Sequence, residues 1–187
     1  MKITGGELKG RVIPVRNSPH TSLRPTSDKM RQAIFNFLHH NPDVLDICPD
    51  LEGVSVLDAF CGTGALGLEA ISHGASHAVF FDTDHKAISE LKALSEQFKI
   101  SDHVQIQKAS ALRPPQADQS VDLVFLDPPY NKGLLAQVVP ALSQAGWVGD
   151  NTLFVCEAEK ECRDIPLRPI VDKTYGDSRL LIGQMYK

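Results

Sequence analysis

From Val54 onward, short apolar runs alternate with amphipathic stretches, and this alternation restricts the fold more than any other feature of the chain. A strand that is followed by a helix returns most readily beside a parallel neighbour, so repeats of the unit build a parallel sheet covered by helices. The runs predict strands over 55–58, 77–82, 104–108, 121–127 and 152–156. Apolar residues at three- and four-residue spacing predict helices over 65–72, 85–98 and 134–144. After Pro169, the runs 170–174 and 179–185 flank Tyr175-Gly176-Asp177 and predict a closing antiparallel hairpin.

The segment before this core differs in kind. Pro14, Pro19 and Pro25 with Asn17, Ser18 and Ser22 mark an irregular stretch, and Thr26-Ser27-Asp28 offers N-caps for a helix over 29–39. A chain of 187 residues, 42% of them hydrophobic, buries one ordinary core, which suggests an arm and helix over 1–52 and a single catalytic domain over 53–187. No apolar run approaches the roughly 20 residues that span a bilayer, and the opening Met-Lys-Ile-Thr-Gly-Gly lacks a signal peptide's apolar stretch. The expectation is a cytoplasmic monomer without membrane contact. Cys48, Cys61, Cys156 and Cys162 form no C-x-x-C pair and match no histidine spacing, so reduced, mostly buried thiols are expected and neither a metal nor a disulfide framework.

The net charge of −4 conceals an asymmetry. Residues 1–31 carry Lys2, Lys9, Arg11, Arg16, Arg24, Lys29 and Arg31 against Glu7 and Asp28, a balance of +5, while the remaining 12 basic and 21 acidic side chains leave −9. A basic end on an acidic body suits contact with phosphate at one end and a cationic ligand at the other; a solvated charged terminus fits the count equally well.

Within the body, Val56-Leu57-Asp58-Ala59-Phe60-Cys61-Gly62-Thr63-Gly64-Ala65-Leu66-Gly67 reads as strand, glycine turn and helix start. Glycine permits positive φ and close approach of a ligand to backbone. Gly62, Gly64 and Gly67 also satisfy G-x-G-x-x-G, and Asp82 follows Gly62 by 20 residues, so the loop alone admits NAD as well as S-adenosylmethionine. Asp58 favours the latter, because a carboxylate there repels a pyrophosphate but attracts an ammonium and a sulfonium. The ribose would fall to Asp82, with Asp84 as competitor. Ser110, after the third strand, is either a neighbour of the adenine or an ordinary loop serine.

Leu126-Asp127-Pro128-Pro129-Tyr130 follows the fourth strand, at the carboxyl edge where α/β sheets bind ligands. A base amine is a weak nucleophile because its lone pair is delocalised into the ring, so it must be held with that pair aimed at the methyl. Asp127 and the Pro128 carbonyl can each accept one N–H, the two prolines stiffen the loop, and Tyr130 can stack on an unstacked base. A proline-rich turn alone gives the same four letters; joined to a glycine loop, they resemble the amino-group branch of the class I methyltransferases. That resemblance implies a Rossmann-like, seven-stranded, mostly parallel sheet with a reversed terminal hairpin.

A narrower resemblance covers nearly the whole chain. Ile3-Thr4-Gly5-Gly6, Lys9-Gly10-Arg11, Leu23 to Arg31, Ile34-Phe35-Asn36, Phe60 to Ala70 and Asp127 to Tyr130 together resemble the bacterial 16S ribosomal RNA (guanine(966)-N2)-methyltransferase family. The segment Arg24-Pro25-Thr26-Ser27-Asp28-Lys29-Met30-Arg31 is its specific part. The resemblance implies transfer of a methyl from S-adenosylmethionine, leaving S-adenosylhomocysteine, to a guanine N2 amine in 16S ribosomal RNA, free or within a small-subunit assembly particle. It implies cofactor contacts from Phe60, Gly62, Gly64, Arg24 and Thr26, and RNA contacts from Lys9, Arg11, Arg16, Arg24 and Arg31. Two positions depart from the usual pattern: Cys61 replaces a frequent alanine and Asp82 a frequent glutamate. The rival readings are an amino-methyltransferase for DNA adenine or protein glutamine, an NAD-dependent oxidoreductase, and a protein that binds RNA without chemistry.

Overall fold

The computed structural model describes residues 1–15, 27–129 and 133–186. Among the described residues, one sheet of seven strands runs β1 (Ser55–Asp58), β2 (His77–Asp82), β3 (Val104–Lys108), β4 (Val121–Leu126), β5 (Val148–Glu159), β6 (Leu167–Tyr175) and β7 (Ser178–Met185). Their order across the sheet is β3-β2-β1-β4-β5-β7-β6. β1 to β5 pair in parallel, and β7 returns antiparallel to both β5 and β6. The predicted reversed hairpin is therefore β6–β7, closed by Gly176 at φ 62° and Asp177. No helix among the described residues is long and apolar enough to cross a membrane.

The helices cover both faces. α1 (Asp28–His40), α3 (Ala65–Ser72) and α4 (His85–Phe98) bury Ile34, Leu68 and Leu91 with Val56, Phe80 and Phe125 on one face. α5 (Leu135–Gln144) buries Leu135, Val138 and Leu142 with Leu57, Phe81 and Phe154 on the other. α2 (Pro42–Leu45) is a single turn capped by Asn41. Neighbouring strand residues alternate between the two clusters, as pleat requires when both faces are covered.

Local chemistry sets the helix starts. Ser27 caps α1 by accepting from Met30 N at 3.1 Å, and Asp84 caps α4 by accepting from Lys86 N at 2.8 Å. Gly67 lies where a Cβ would strike the Phe80 ring, so glycine lets α3 settle directly on β2.

The N-terminal segment is more ordered than the expected arm. Lys2 and Val12 form an antiparallel bridge, and Ile3 and Ile13 are buried in the cluster that also holds α1 and α3. Its backbone is held by two polar side chains of α3. Glu69, fully buried, accepts from Thr4 N at 2.7 Å, Thr4 Oγ1 at 2.5 Å and Gly5 N at 2.9 Å. Ser72 Oγ accepts from Leu8 N at 2.9 Å and donates to Gly5 O. A Cβ on Gly6 would overlap the Ser72 carbonyl and one on Gly5 would strike the His73 ring, which explains the paired glycines.

Candidate active site

The strand order reverses direction between β1 and β4: the chain runs outward from β1 through β2 to β3, then returns to β4 on the other side of β1. Such a switch point leaves a crevice at the carboxyl edge, because successive loops diverge to opposite sides. Asp58 pairs with Phe125, so the glycine loop and Asp127-Pro128-Pro129 emerge beside one another into this crevice. Ala59 N donates to Phe125 O at 3.1 Å and Cys61 N to Phe81 O at 2.9 Å, which ties the loop to both flanking strands.

Gly62 and Gly64 adopt φ of 52° and 77°, conformations that L side chains rarely enter. They serve different purposes. Among the described residues, a Cβ on Gly62 would meet only Phe60 O, at 4.0 Å, so they leave that side of the loop open to a ligand. A Cβ on Gly64 would lie 2.5 Å from Leu91 Cδ1, so this glycine lets α3 pack against α4. The sequence-based expectation of ligand contact thus fits Gly62 better than Gly64.

Asp58 is buried, and its Oδ2 accepts from Gly67 N at 3.1 Å, clamping the loop to the first turn of α3. Burial pushes its carboxyl up to about 7; the backbone N–H groups of Gly67 and Phe60 oppose that rise and the charge of Asp82 adds to it. Asp82 closes the other side, accepting from Gly62 N at 2.9 Å through Oδ2 and from Asp84 N at 2.8 Å through Oδ1. Asp84 caps α4 and is exposed, which leaves Asp82, nearer the loop, as the better candidate for a ribose. Burial also pushes the Cys61 thiol up, with Asp58 and Asp82 acting in the same direction, so it stays protonated and inert. Phe60 is half-buried against the second apolar cluster. Ser110 forms an isolated bridge with Arg113 and accepts from Leu112 N at 3.3 Å, at the end of β3.

Across the crevice, Asp127 and Pro129 are half-buried and Pro128 is buried. A pocket opens beside the two prolines, walled by Leu134 and Leu135 at the start of α5, by Glu159 at the end of β5 and by Cys162 beyond it. Neither Glu159 nor Cys162 stood out in the sequence as a site residue, where Glu159 resembles any acid ending a strand. Tyr130, Arg16, Arg24 and Thr26 lie outside the described residues.

Arg31 requires a correction. It is fully buried, its Nη2 donating to Lys2 O and Asp28 Oδ1 at 2.8 Å each, its Nη1 to Met1 Sδ at 2.7 Å, and its Nε 3.6 Å from Glu69 Oε2. This guanidinium joins α1, α3 and the N-terminus and is not presented to RNA. Its position was readable, since 31 shares a helical face with Ile34, Phe35 and Leu38. Lys9 and Arg11 remain exposed, with the Arg11 guanidinium 5.4 Å from the centre of the Phe98 ring.

Comparison with known proteins agrees with this architecture. The family described as conserved hypothetical protein 95 matches residues 1–184. The ribosomal RNA small subunit methyltransferase D of Escherichia coli K12 is 33% identical over 161 residues, covering 86% of this chain and 76% of that protein. The solved structure of yhhF from Escherichia coli superposes with a TM-score of 0.81 at 30% identity, covering 99% of this chain and 97% of that one. An RNA methyltransferase from Salinibacter ruber, solved with S-adenosyl-L-homocysteine, shares the fold at a TM-score of 0.64 and 16% identity, over 88% and 95% of the two chains.

Proposed function

The chain belongs to the conserved hypothetical protein 95 family, and from that premise we propose that it transfers a methyl group from S-adenosylmethionine to the N2 amine of a guanine in 16S ribosomal RNA. The observation that carries this reading is the pairing of β1 with β4, which sets the glycine loop beside Asp127-Pro128.

The residues around the loop fit the cofactor. Among the described residues the space a Cβ on Gly62 would fill is open, and Asp58 and Asp82 bring two carboxyl groups to the glycine loop, which suits a cation that carries a ribose. Asp82 would hold the ribose hydroxyls, Phe60 and Ser110 would flank the adenine, and backbone N–H groups at the start of α3 would receive the amino-acid carboxylate. Bound there, S-adenosylmethionine supplies an electrophilic methyl.

On the acceptor side, Asp127 and the Pro128 carbonyl each accept one N–H of the guanine amine, which aims the nitrogen lone pair across the crevice. Pro129 keeps the loop rigid, and Tyr130 stacks on the base. The amine becomes acidic only as it gains the methyl, so Asp127 works chiefly by orientation, and its oxygen is at hand for the surplus proton. The RNA phosphates meet the N-terminal segment through Lys9, Arg11 and Arg16, and Arg24 and Thr26 join the contact by the same reading of the sequence. The enzyme acts as a cytoplasmic monomer on small-subunit RNA, free or in an assembly particle.

The test is labelled-methyl transfer to small-subunit ribosomal RNA, naked or assembled, followed by mass analysis of the nucleosides. N2-methylguanosine is the expected product; methyladenosine, or label only in protein, overturns the reading.

A further inference from the structure

The pocket beside Pro128 and Pro129 is lined by the apolar Leu134 and Leu135 and by Cys162, and Glu159 is the acidic residue among its described lining. β4 and β5 pair in parallel through Leu126 and Cys156, so Asp127-Pro128-Pro129 leaves the sheet edge next to the strand that ends at Glu159. Glu159 ends β5, where its pairing with Ser178 of β7 anchors the backbone from the other side. Cys162, held back toward Glu159 by a Cys162 N to Glu159 O hydrogen bond of 3.0 Å, closes the turn. Arg179 donates to the Cys162 carbonyl, but its Nε and Nη2 are engaged by Asp172 at 2.8 and 2.7 Å. Burial raises the Cys162 thiol, and the neighbouring Glu159 raises it further.

The chemistry of base edges gives a carboxylate here a particular use. In guanine the ring atom beside the exocyclic amine, N1, carries a hydrogen. In adenine and cytosine the corresponding ring nitrogen is a bare lone pair. A carboxylate next to the group that holds the amine therefore accepts a hydrogen bond from guanine and repels the other two bases. We propose that Glu159 is the specificity-determining residue of the acceptor pocket, accepting the N1–H of a guanine whose amine is held by Asp127 and Pro128. The proposal rests on the methyl-transfer reading above and adds to it the basis on which guanine is chosen.

The experiment compares small-subunit ribosomal RNA carrying guanine at the methylated position with the same RNA carrying 2-aminopurine there, which keeps the 2-amine but has a lone pair at N1. Wild-type enzyme should prefer guanine in kcat/KM. In E159Q, whose amide can either accept or donate, that preference should narrow by about ten- to a hundredfold, the worth of one charged hydrogen bond. Binding of S-adenosylmethionine should be unchanged, and E159D, which keeps the charge, should retain the preference at a lower rate. A wild-type preference surviving intact in E159Q that still binds S-adenosylmethionine overturns the assignment. Wild-type enzyme that leaves the guanine unmethylated overturns the methyl-transfer reading itself.

Discussion

The two sides of the crevice are built differently. On the cofactor side, the loop after β1 is tied down by side chains: Asp58 takes Gly67 N, Asp82 takes Gly62 N, and backbone bonds reach β4 and β2. On the acceptor side, the loop after β4 is stiffened by its own covalent structure, since Pro128 and Pro129 each fix φ and withhold a donor. In the proposed reaction, the first arrangement holds a ligand by pre-formed polar contacts, and the second presents one carboxylate and one carbonyl to a group that arrives with the RNA. The difference predicts that substitutions on one side leave the other side's measurement unchanged.

The largest separation should come from Asp127→Ala. Losing a charged hydrogen bond made in the transition state slows single-turnover methylation on the order of a hundredfold, while calorimetry should find S-adenosylmethionine affinity almost unaltered. Near-normal turnover in that variant would remove Asp127 from the mechanism. The mirror experiment is Gly62→Val, which puts a branched side chain at φ 52° in the open space of the loop. We expect cofactor affinity to fall at least about tenfold, from backbone strain and reduced room together. Because a Cβ on Gly64 would collide with Leu91, the corresponding change there should also lower thermal stability. Equal melting temperatures for the two valine variants would contradict this division of roles.

A smaller effect is expected from the basic segment. Replacing Lys9, Arg11 and Arg16 by alanine should weaken RNA binding and flatten its salt dependence, by up to about one unit of log–log slope for each phosphate no longer neutralised. Cofactor affinity should not follow. Wild-type RNA affinity with an unchanged slope would make these side chains a solvated surface.

The smallest effect is a pH dependence. The Asp58 carboxyl is raised to about 7 in the fold, above its unfolded value near 4, so the folded protein binds the proton more tightly. Its contribution to stability is thus greatest below pH 4 and declines as pH rises toward 7. A cationic ligand prefers the ionised form, so S-adenosylmethionine affinity should climb by at most about fivefold between pH 6 and 7 and level off above it. Asp58→Asn should flatten that profile; an unchanged slope in the variant would assign the proton elsewhere.

Much of this site was legible because its signals are local. Strands 55–58, 77–82 and 104–108 and helices 65–72 and 85–98 carry their own apolar period and caps, and the structure forms them at those bounds. Others were cut short. β5 was expected over 152–156 but spans Val148–Glu159, because pairing with β4 on one side and β7 on the other extends it through Asn151, Glu157 and Glu159, whose side chains do not advertise a strand.

The alternation of runs, the glycine turn and Asp127-Pro128-Pro129 thus determined the fold class and the character of both loops, since backbone freedom and side-chain period belong to short stretches of chain. Where each charged residue came to lie was decided only by tertiary structure. Arg31 turned inward because its helical face covers the core, and Glu69 became the anchor of residues 4 and 5, some 65 positions away. Glu159 came to line one pocket with Pro128 and Pro129 because β4 and β5 pair in the sheet. A charge has no period of its own, so its role depends on which distant backbone groups and side chains the sheet brings within reach.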